Sequence, residues 1–354
     1  MEQSSTTSNQ YVHNVSAVIP VYGGEKTLEK VVTELADFHT VRRSSQGHLY
    51  RVSEILPVFD HGRDRSDIVI RELERRYPFV HGVWLSRNYG QHPATLAGIS
   101  QSTGDWVVTM DEDGQHDPHA IGDMLDVAMR EQADIIYAKP TNAAPHSLFR
   151  NLTSWGAKFV AKHLLGSNDA PKYQSFRLIL GDVARALAVH AGNDTYLDVA
   201  LGWVGNRIAT CPVALRSEGD HQSSYNLIRL LGHFWRMVIT GGTRPLRFVS
   251  AIGGLTSFAG IVWAIVLFFM QLFSHAIKVP GWTSLMIVFL VFSGLILLSI
   301  GIVAEYIGIS VRSSMGMPLY LIAKDPKQGP LGEYIPDFND SDDSDDAAQR
   351  TAGR

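Results

Sequence analysis

The chain has 354 residues, enough for one large domain or two ordinary ones. Its 31 basic and 35 acidic side chains nearly balance, so nucleic-acid binding driven by phosphate neutralisation is not expected. Cys211 is the single cysteine, which excludes a framework of intrachain disulfides and suits a reducing cytosol. The polar N-terminus, residues 1–14, has no apolar stretch typical of a signal peptide and is predicted to be disordered.

Apolar strand-like runs alternate with helical patterns within residues 15–225. In chain order they predict strand "SAVIPVY", helix Glu25–Phe38, strand "SEILPVF", helix Ile68–Tyr77, strand "VHGVWLS", helix Pro93–Ser100, strand "DWVVTMD", helix His119–Gln132 and strand "ADIIYAK". Pro57 counts against the second strand because it removes a ladder donor. The alternation indicates an α/β domain with a mostly parallel sheet, in which ligands bind at the carboxyl ends of the strands.

Two further segments have helical, amphipathic patterns. The first covers residues 140–170. The second lies within residues 226–247, where "NLIRLLGHFWRMVIT" places Leu230 and Phe234 on one face beside Arg229 and Arg236. Because this segment directly precedes a long apolar block, it predicts an interfacial helix lying on the bilayer rather than an ordinary surface helix.

Two blocks without charge, residues 248–273 and 284–304, change the class of the protein. Each reaches the roughly 20 residues that a helix needs to cross a bilayer, so two transmembrane helices are favoured over two buried helices of a soluble core. The short connection "SHAIKVPGW" predicts an antiparallel hairpin. Gly253, Gly254 and Gly260 in the first block would allow close helix packing and thus a homo-oligomer.

Basic residues flank this hairpin mainly on its outer sides. They are Arg244 and Arg247 before it, Lys278 within its loop, and Arg312, Lys324 and Lys327 after it. The positive-inside rule therefore predicts an integral protein of the cytoplasmic membrane, with the α/β domain, the C-terminal segment 305–335 and both termini in the cytoplasm. Residues 336–354 form an acidic, polar tail that is predicted to be disordered.

An acidic knot, within "VVTMDEDGQHDP", follows an apolar strand directly. Side chains alternate along a strand, so Asp111 and Asp113 point the same way and Glu112 points the opposite way. Two carboxylates on one side suit Mg²⁺ or Mn²⁺, although such a triplet by itself is more often a set of solvated loop charges. The nearby His92, His116 and His119 fit no standard zinc spacing and are interpreted as solvated loop residues.

Several motifs in order carry a family resemblance. They are "VIPVYGGEKTL", "LSRNYGQHPATLAGIS", "MDEDGQHDP", "SFRLI", "LDVALGWVG", "AEYIG" and "GMPLYLI", which together cover about residues 15–325. In these motifs the chain resembles glycosyltransferase family two, and within it the membrane-anchored polyprenyl-phosphate glycosyltransferases related to dolichol-phosphate mannose synthase. The resemblance implies a Rossmann-like GT-A fold, Mg²⁺ or Mn²⁺, a nucleotide-diphospho-sugar donor with a UDP-sugar favoured, and a polyprenyl monophosphate acceptor.

The resemblance also implies roles for individual residues. The donor-binding positions are Pro20, Tyr22, Glu25, Asp60, Arg87, Asn88, Asp111 and Gln115. Asp111 and Asp113 are the metal positions and, with Arg150 and Arg177, the catalytic positions. The positions toward the acceptor and its phosphate are Arg150, Ser175, Arg177 and Asp198; His221 and Arg229 are added as substitutes for a basic residue that the family has ahead of the interfacial helix.

The chain departs from the family pattern at several of these positions. In "FDHGRDRSD", His61 stands where the family has a second Asp and Arg63 stands where it has Ser, which affects recognition of the base and ribose. Gly23 replaces the usual Asn of the first loop. Ser175 replaces an acid that is a candidate catalytic base, and Gln222 replaces a basic residue.

Loss of that acid does not exclude catalysis. A phosphate monoester has a second pKa near ~6, so the acceptor oxygen is largely ionised at neutral pH and needs positioning more than deprotonation. A divalent ion and Arg side chains can stabilise the departing nucleoside diphosphate. We therefore expect an active, inverting transferase, which would give a β-linked lipid sugar from an α-linked donor.

Other interpretations remain at this stage. The altered "DHGRD" loop allows a catalytically silent membrane scaffold that recruits another transferase or flippase, although intact Asp111, Asp113 and Gln115 argue against it. A processive polysaccharide synthase lacks its "QxxRW"-type motif here, and a small transporter would need a polar pathway. Among single residues, Asp198 fits a site residue or a helix cap, Trp203 fits packing better than sugar stacking, and Arg216 fits a phosphate ligand or a surface charge.

Overall fold

The computed structural model describes residues 11–142, 174–192, 196–216 and 282–328, together with helical positions scattered between 246 and 269. Residues 143–170 of the predicted helix 140–170, the interfacial helix 226–247 apart from position 246, and nearly half of the first span, 248–273, lie outside the described residues. The same is true of the acidic tail 336–354. The fold below is that of the described residues.

A nine-stranded sheet forms the centre of the domain. Its strands are β1 (Val12–Val21), β2 (Arg42–Arg43), β3 (Leu49–Phe59), β4 (Val83–Leu85), β5 (Trp106–Thr109), β6 (Ile135–Pro140), β7 (Arg177–Leu180), β8 (Ile208–Val213) and β9 (Ile322–Ala323). They lie in the order β8-β6-β7-β5-β1-β3-β4-β9, with β2 paired to β3. Strands β5, β1, β3 and β4 run parallel, as do β6 and β8, whereas β2, β7 and β9 pair antiparallel. The predicted α/β fold with a mostly parallel sheet is confirmed.

Helices cover both faces of this sheet. They are α1 (Leu28–Ala36), α2 (Ser66–Arg76), α3 (Gln91–Gln101), α4 (Ala120–Glu131), α5 (Gly181–His190) and α6 (Leu197–Val204), followed by a long separate helix α7 (Trp282–Ser314). One hydrophobic cluster lies under α1, α2 and α4, and a second lies under α3, α5 and α6. In β1, Ala17 and Ile19 belong to the first cluster and Val18 to the second, which explains why this central strand is apolar throughout.

Each element predicted within residues 15–140 is present, with shifted ends. Strand β1 begins at Val12, so the predicted disordered segment 1–14 is wrong for its last three residues. They pair with β3, and the Asn14 amide donates to Asp105 Oδ2 at 2.8 Å. Pro57 is tolerated because it falls between the Ile55–Val80 bridge and the first β3–β4 pair, Val58–Val83, where the ladder is interrupted.

Several short elements were not predicted from the sequence. They are β2, β7, β8, β9, α5 and α6. Strands β2 and β9 have two residues each, too few for a period of two to be visible. Strand β7 enters the sheet antiparallel between β5 and β6, a position fixed by long-range pairing rather than by local pattern.

Helix α7 is the only helix among the described residues that is long and apolar enough to cross a membrane. Its apolar part, Val291–Val311, is entirely unburied. The helix starts two residues before the predicted span 284–304 and extends ten residues past it, to Ser314. The second span is thereby found as a helix, whereas the hairpin with the first span stays a prediction.

After α7 the chain returns to the domain. Residues Leu319, Tyr320 and Ile322 pack against the second hydrophobic cluster. Strand β9 pairs antiparallel with β4, so the predicted C-terminal segment 305–335 contributes the last strand of the sheet. Beyond β9, Asp325 accepts from Arg71 Nε and Nη2, each at 2.8 Å, and only 4% of Asp325 is exposed. Removing one partner of such a buried, bidentate ion pair strongly destabilises the folded protein.

We expect Asp325→Ala to lower the free energy of unfolding by about 3 kcal/mol, because it leaves Arg71 buried with fewer acceptors. Asp182→Ala is the matched control, since Asp182 forms an ion pair with Arg185 on the surface. Thermal unfolding of the detergent-purified protein, followed by circular dichroism, measures both. Equal melting temperatures for the two variants would contradict the assigned importance of the Arg71–Asp325 pair.

Candidate active site

Loops at the carboxyl ends of β1, β3, β4 and β5 meet in a crevice at one edge of the sheet. This is the place where parallel α/β sheets bind ligands. The loops after β1 and β3 touch at Gly62, where an added Cβ would lie 1.9 Å from the Tyr22 carbonyl oxygen. Only glycine allows this approach, so Gly62 brings the two loops together.

Asp60 ties the loop after β3 to the turn after β4. Its two carboxylate oxygens accept from the amides of Tyr89, at 2.7 Å, and Gly90, at 2.8 Å. Asn88 Nδ2 donates to the Asp60 carbonyl oxygen at 2.9 Å. Burial raises the pKa of Asp60 although both amide hydrogen bonds oppose that shift. The predicted donor-binding residues Asp60 and Asn88 are therefore in direct contact, and the Asp60 carboxylate holds the turn.

His61, which stands where the family has an acid, makes a different contact. Its Nε2 lies 2.7 Å from the Leu85 carbonyl oxygen at the end of β4. Its φ of 48° lies in the left-handed region. The ring also lies 5.2 Å from the Phe59 ring. His61 therefore links β3 to β4 and does not reproduce the contacts of a second carboxylate.

Glu112 ties the acidic strand end to the loop after β1. Its Oε2 accepts from the Tyr22 amide at 3.0 Å, and its Oε1 accepts from the Gly23 amide at 2.9 Å. Burial raises the pKa of Glu112 from 4.5 to about 7, against the two amide hydrogen bonds. Sequence reasoning placed Glu112 on the far side of the strand and assigned it no role. The alternation of side chains applies only within the strand, which ends at Thr109, so the sequence pattern could not predict this contact of Glu112.

Asp64 completes the carboxylate contacts of the first loop. Its Oδ2 accepts from the Glu25 amide at 2.9 Å, and its Oδ1 accepts from Ser66 Oγ at 2.5 Å. Glu25, a predicted donor-binding residue, accepts in turn from the Arg65 amide at 3.3 Å. Although burial opposes it, the pKa of Asp64 is lowered by the hydrogen bonds from Ser66 and Glu25. Asp64 therefore fixes the start of α2 next to the first loop.

Asp111 and Asp113 lie at the end of β5, within this crevice. Asp111 Oδ1 accepts from Gln91 Nε2 at 2.7 Å, and Asp111 Oδ2 accepts from Ser175 Oγ at 2.6 Å. Asp113 is exposed, and its Oδ1 accepts from the Gln115 amide at 3.0 Å. A carboxylate has about four acceptor positions, so such hydrogen bonds leave capacity for a cation. This donor set fits Mg²⁺ or Mn²⁺, which typically takes one or two protein carboxylates.

His116 contacts Asp111 directly. The Asp111 amide donates to His116 Nδ1 at 3.0 Å, which assigns the proton of the neutral ring to Nε2, 3.7 Å from Asp111 Oδ2. The ring stacks on Phe176 with centroids 4.7 Å apart. Burial lowers the pKa of His116 despite the nearby acids. The interpretation of His116 as a solvated loop residue is therefore wrong.

Arg177 and Asp198 form an ion pair within the protein, beneath Ser175. Arg177 Nη1 donates to Asp198 Oδ1, which also accepts from Tyr137 Oη at 3.0 Å. Arg177 Nε donates to Thr109 Oγ1 at 3.0 Å, and Thr109 Oγ1 donates to the Ser175 carbonyl oxygen at 2.6 Å. Helix α6 has no side-chain cap, so the helix-cap alternative for Asp198 is wrong. Burial raises the pKa of Asp198 although Arg177 opposes it.

The remaining predicted donor residues line the rim of the crevice. Pro20 lies near the end of β1, and Tyr22 is 48% exposed. Arg87 is exposed, with its guanidinium 4.3 Å from the centroid of the Tyr89 ring. Gln115 accepts from the Arg216 amide through its carbonyl oxygen, at 3.0 Å.

Arg216 lies outside this crevice in an ion-pair cluster. It donates to both oxygens of Glu34, at 2.5 and 2.6 Å, and to Asp117 Oδ1 at 2.9 Å. Glu34, Asp117 and His119 also lie close enough together to share a cation. Arg216 already balances the two carboxylates, so this cluster is a structural ion pair rather than a metal centre or a phosphate site.

Some predicted residues lie elsewhere. Arg150, His221 and Arg229 lie outside the described residues. Trp203 is 61% exposed at the end of α6, so the interpretation that it serves packing is wrong. Sequence reasoning missed Gln91 and Glu112; the apolar run before "DEDGQHDP" was the one signal that pointed to this region.

We expect Gly62→Ala to separate the loops after β1 and β3, because its Cβ would overlap the Tyr22 carbonyl group. Hydrogen exchange at the Tyr22 and Gly23 amides should accelerate by at least about tenfold, since their bonds to Glu112 depend on that loop position. Gly23→Ala is the control, because its Cβ would have no atom closer than 3.9 Å. Unchanged exchange in Gly62→Ala would refute the assigned role of Gly62.

Glu112 also gives a pH dependence. Its pKa of about 7 lies above the unfolded value of 4.5, so its contribution to stability is present below about pH 4.5 and is lost as the pH rises through about 7. We expect the metal-free wild type to lose stability relative to Glu112→Gln between about pH 5 and about pH 8. Thermal unfolding of both proteins in a chelator measures the difference. A constant difference across this range would contradict the raised pKa.

Comparison with known proteins agrees with this geometry. Residues 16–187 match the family model described as Glycosyl transferase family 2. An undecaprenyl-phosphate 4-deoxy-4-formamido-L-arabinose transferase of Pseudomonas aeruginosa (strain LESB58) is 31% identical over 88% of this chain and 89% of that protein. YkcC, an uncharacterized glycosyltransferase of Bacillus subtilis (strain 168), is 26% identical over 87% of this chain and 93% of that protein.

Similarity to solved structures is weaker. Glucosyl-3-phosphoglycerate synthase from Mycobacterium tuberculosis, solved with Mn²⁺, UDP-glucose and phosphoglyceric acid, is 14% identical with a TM-score of 0.45. That similarity covers 66% of this chain and 79% of the other, and it carries no argument about ligands. The family match and the full-length relatives are sufficient: the chain belongs to glycosyl transferase family 2.

Proposed function

We propose that the protein transfers a sugar from a nucleotide-diphospho-sugar to polyprenyl monophosphate at the cytoplasmic face of a membrane. The observation that carries this proposal is the pair Asp111 and Asp113 at the carboxyl end of β5, in a crevice built by loops of a family 2 chain. A relative named as an undecaprenyl-phosphate 4-deoxy-4-formamido-L-arabinose transferase matches 88% of the chain. A UDP-sugar is the favoured donor.

Asp111 and Asp113 would hold the divalent cation. When bound, Mg²⁺ or Mn²⁺ stabilises negative charge on the diphosphate as it departs. Gln91 and Ser175 orient the two oxygens of Asp111, and the Gln115 amide orients Asp113. The protein thus presents two carboxylates that are fixed before the donor arrives, which lowers the cost of ordering them at the transition state.

The nucleotide would bind between the loop after β1 and the turn after β4. Pro20, Tyr22 and Glu25 lie on one side, and Arg87 and Asn88 lie on the other. Both Asp60 oxygens already accept backbone amides, so its contribution is to hold this turn. Because His61 replaces an acid, the base is recognised by a loop that differs from the family pattern.

The acceptor phosphate would attack the anomeric carbon without a dedicated base. Ser175 stands at the position of the usual acid, and its hydroxyl donates to Asp111. A phosphate monoester is largely ionised at neutral pH because its second pKa is near ~6, so it needs no proton acceptor. In-line attack inverts the anomeric configuration. The product is a polyprenyl-phosphate-linked sugar with the opposite anomeric configuration to its donor.

Arg177 and Asp198 would act indirectly, by positioning Ser175. Their charges pair within the protein, and they fix Ser175 through Thr109. Direct contacts to the acceptor phosphate are assigned to Arg150 by the family resemblance, and to His221 and Arg229 as substitutes for a basic residue that Gln222 replaces. The guanidinium groups of Arg150 and Arg229 would balance the charge of a lipid phosphate.

Membrane placement follows from the same proposal. Helix α7 would be the second of two spans, joined to an interfacial helix and a first span so that the crevice faces the cytoplasm. A homo-oligomer through the glycine-containing first span is part of the proposal. The lipid product then serves later glycan or cell-envelope modification.

Release of nucleoside diphosphate tests this function. Detergent-purified protein is incubated with UDP-, GDP- and dTDP-sugars, with Mn²⁺ or Mg²⁺, and with or without polyprenyl phosphate. We expect release that requires both lipid and metal and that falls at least about a hundredfold in Asp113→Ala, through loss of charge stabilisation. Asp123→Asn is the control, because Asp123 is exposed on α4 and contacts Ser45.

The outcome also separates the runner-up. A folded protein that releases no nucleoside diphosphate with any donor would favour a catalytically silent membrane scaffold. The full-length similarity to named transferases and the fixed Asp111 and Asp113 make that alternative the less favoured one.

A further inference from the structure

The segment that follows the membrane helix is bound to the catalytic sheet beside the donor turn. We define the strap as residues 319–328. Its strand β9 pairs Ile322 with Leu85 and Ala323 with Trp84, and the Ser86 amide donates to the Leu321 carbonyl oxygen at 2.9 Å. Ser86 is the first residue after β4 and the start of the turn that Asp60 holds. The strap therefore lies against the start of the turn that forms one side of the crevice.

A buried ion pair fixes the far end of the strap. Asp325 accepts two hydrogen bonds from Arg71, each 2.8 Å long, and a third from the Lys327 amide at 3.0 Å. Arg71 also donates to Asp67 at 2.6 Å and lies 4.8 Å from the Trp84 ring centroid. A two-residue strand alone would fray. The bidentate Arg71–Asp325 pair fixes the register of β9 on β4.

The connection between the membrane helix and the strap is short. Helix α7 ends at Ser314, and Leu321 already contacts the catalytic sheet. The six residues between them, 315–320, make seven Cα–Cα steps, which span at most about 25 Å when fully extended. Gly316, with φ of 64°, turns the chain within this connection, so the actual distance is shorter. The end of the membrane helix is thus held close to the donor turn.

We propose that the strap is a positioning device, which holds the active-site crevice at a fixed height and orientation above the membrane surface so that a lipid phosphate reaches it. This inference rests on the proposed function for its biological meaning. Residues 315–318 allow only a limited reorientation of the domain relative to α7. A larger one would have to break the β4–β9 pairs and the Arg71–Asp325 ion pair. The acceptor is confined to the membrane, so this geometry controls how often it meets the donor.

An insertion that lengthens the connection tests the proposal without altering the strap. About six Gly and Ser residues are placed between Met315 and Gly316, and the control carries the same insertion after Gln328. We expect turnover of long-chain polyprenyl phosphate in vesicles to fall at least about fivefold in the first variant only. Turnover of a short-chain polyprenyl phosphate in detergent should stay within about twofold in both. Equal vesicle rates in the two variants would overturn the proposal.

A second readout does not depend on activity. A fluorophore at Gln101→Cys, on the exposed end of α3, transfers energy to acceptor-labelled lipid headgroups in vesicles, while Cys211 stays unlabelled because it is buried. We expect a broader distribution of donor–acceptor distances after the insertion at Met315, and an unchanged one after the insertion at Gln328. Asp325→Asn, which loosens the strap without added residues, should broaden it as well.

The two readouts separate the two claims. Identical distance distributions in all variants would overturn the strap proposal, whatever the turnover. Absence of lipid-dependent turnover in the wild type, with a distribution that broadens after the insertion at Met315, would overturn the proposed function and support the strap as a device that positions the domain.

Discussion

Carboxylates that accept backbone amides hold the active-site crevice together. Asp60 fixes the turn after β4 through the amides of Tyr89 and Gly90, and Glu112 fixes the loop after β1 through the amides of Tyr22 and Gly23. The four amide hydrogen bonds are 2.7–3.0 Å long, and they oppose the effect of burial, which raises the pKa of both carboxyl groups. The negative charge gathered at this edge of the sheet also favours a cation, which is what the proposed chemistry requires at Asp111 and Asp113.

The same sheet joins the proposed site to the long apolar helix α7. One side of the crevice ends in β4, and β4 is covered by the strap that follows α7. Arg71, in α2 of the sheet domain, holds the segment that follows α7 through its hydrogen bonds to Asp325. The edge strand on this side of the sheet is then β9, and a strand of two residues offers little backbone for unwanted association. In the proposed account, stability, orientation and access to a lipid substrate all depend on this one short contact.

The sequence predicted the parts of the molecule that have a strong local pattern. Alternating apolar runs gave the central strands and α1 to α4, and the run before Asp111 placed the acidic knot at a strand end. Contacts between distant residues were not predictable, because no local period records them. Glu112 received no role, because its hydrogen bonds join it to amides about 90 positions away in the chain. His116 and Asp325 are polar residues that the fold buries, a result of tertiary packing.

Binding of Mn²⁺, followed by electron paramagnetic resonance, tests the central claim most directly. The account predicts one bound ion per chain in the crevice, with affinity that increases when a UDP-sugar is added and that is lost in Asp111→Asn and Asp113→Asn. Glu34→Gln should leave it unchanged, because Glu34 is paired with Arg216 outside the crevice. Binding that survives both aspartate substitutions and is lost in Glu34→Gln would contradict the assigned site.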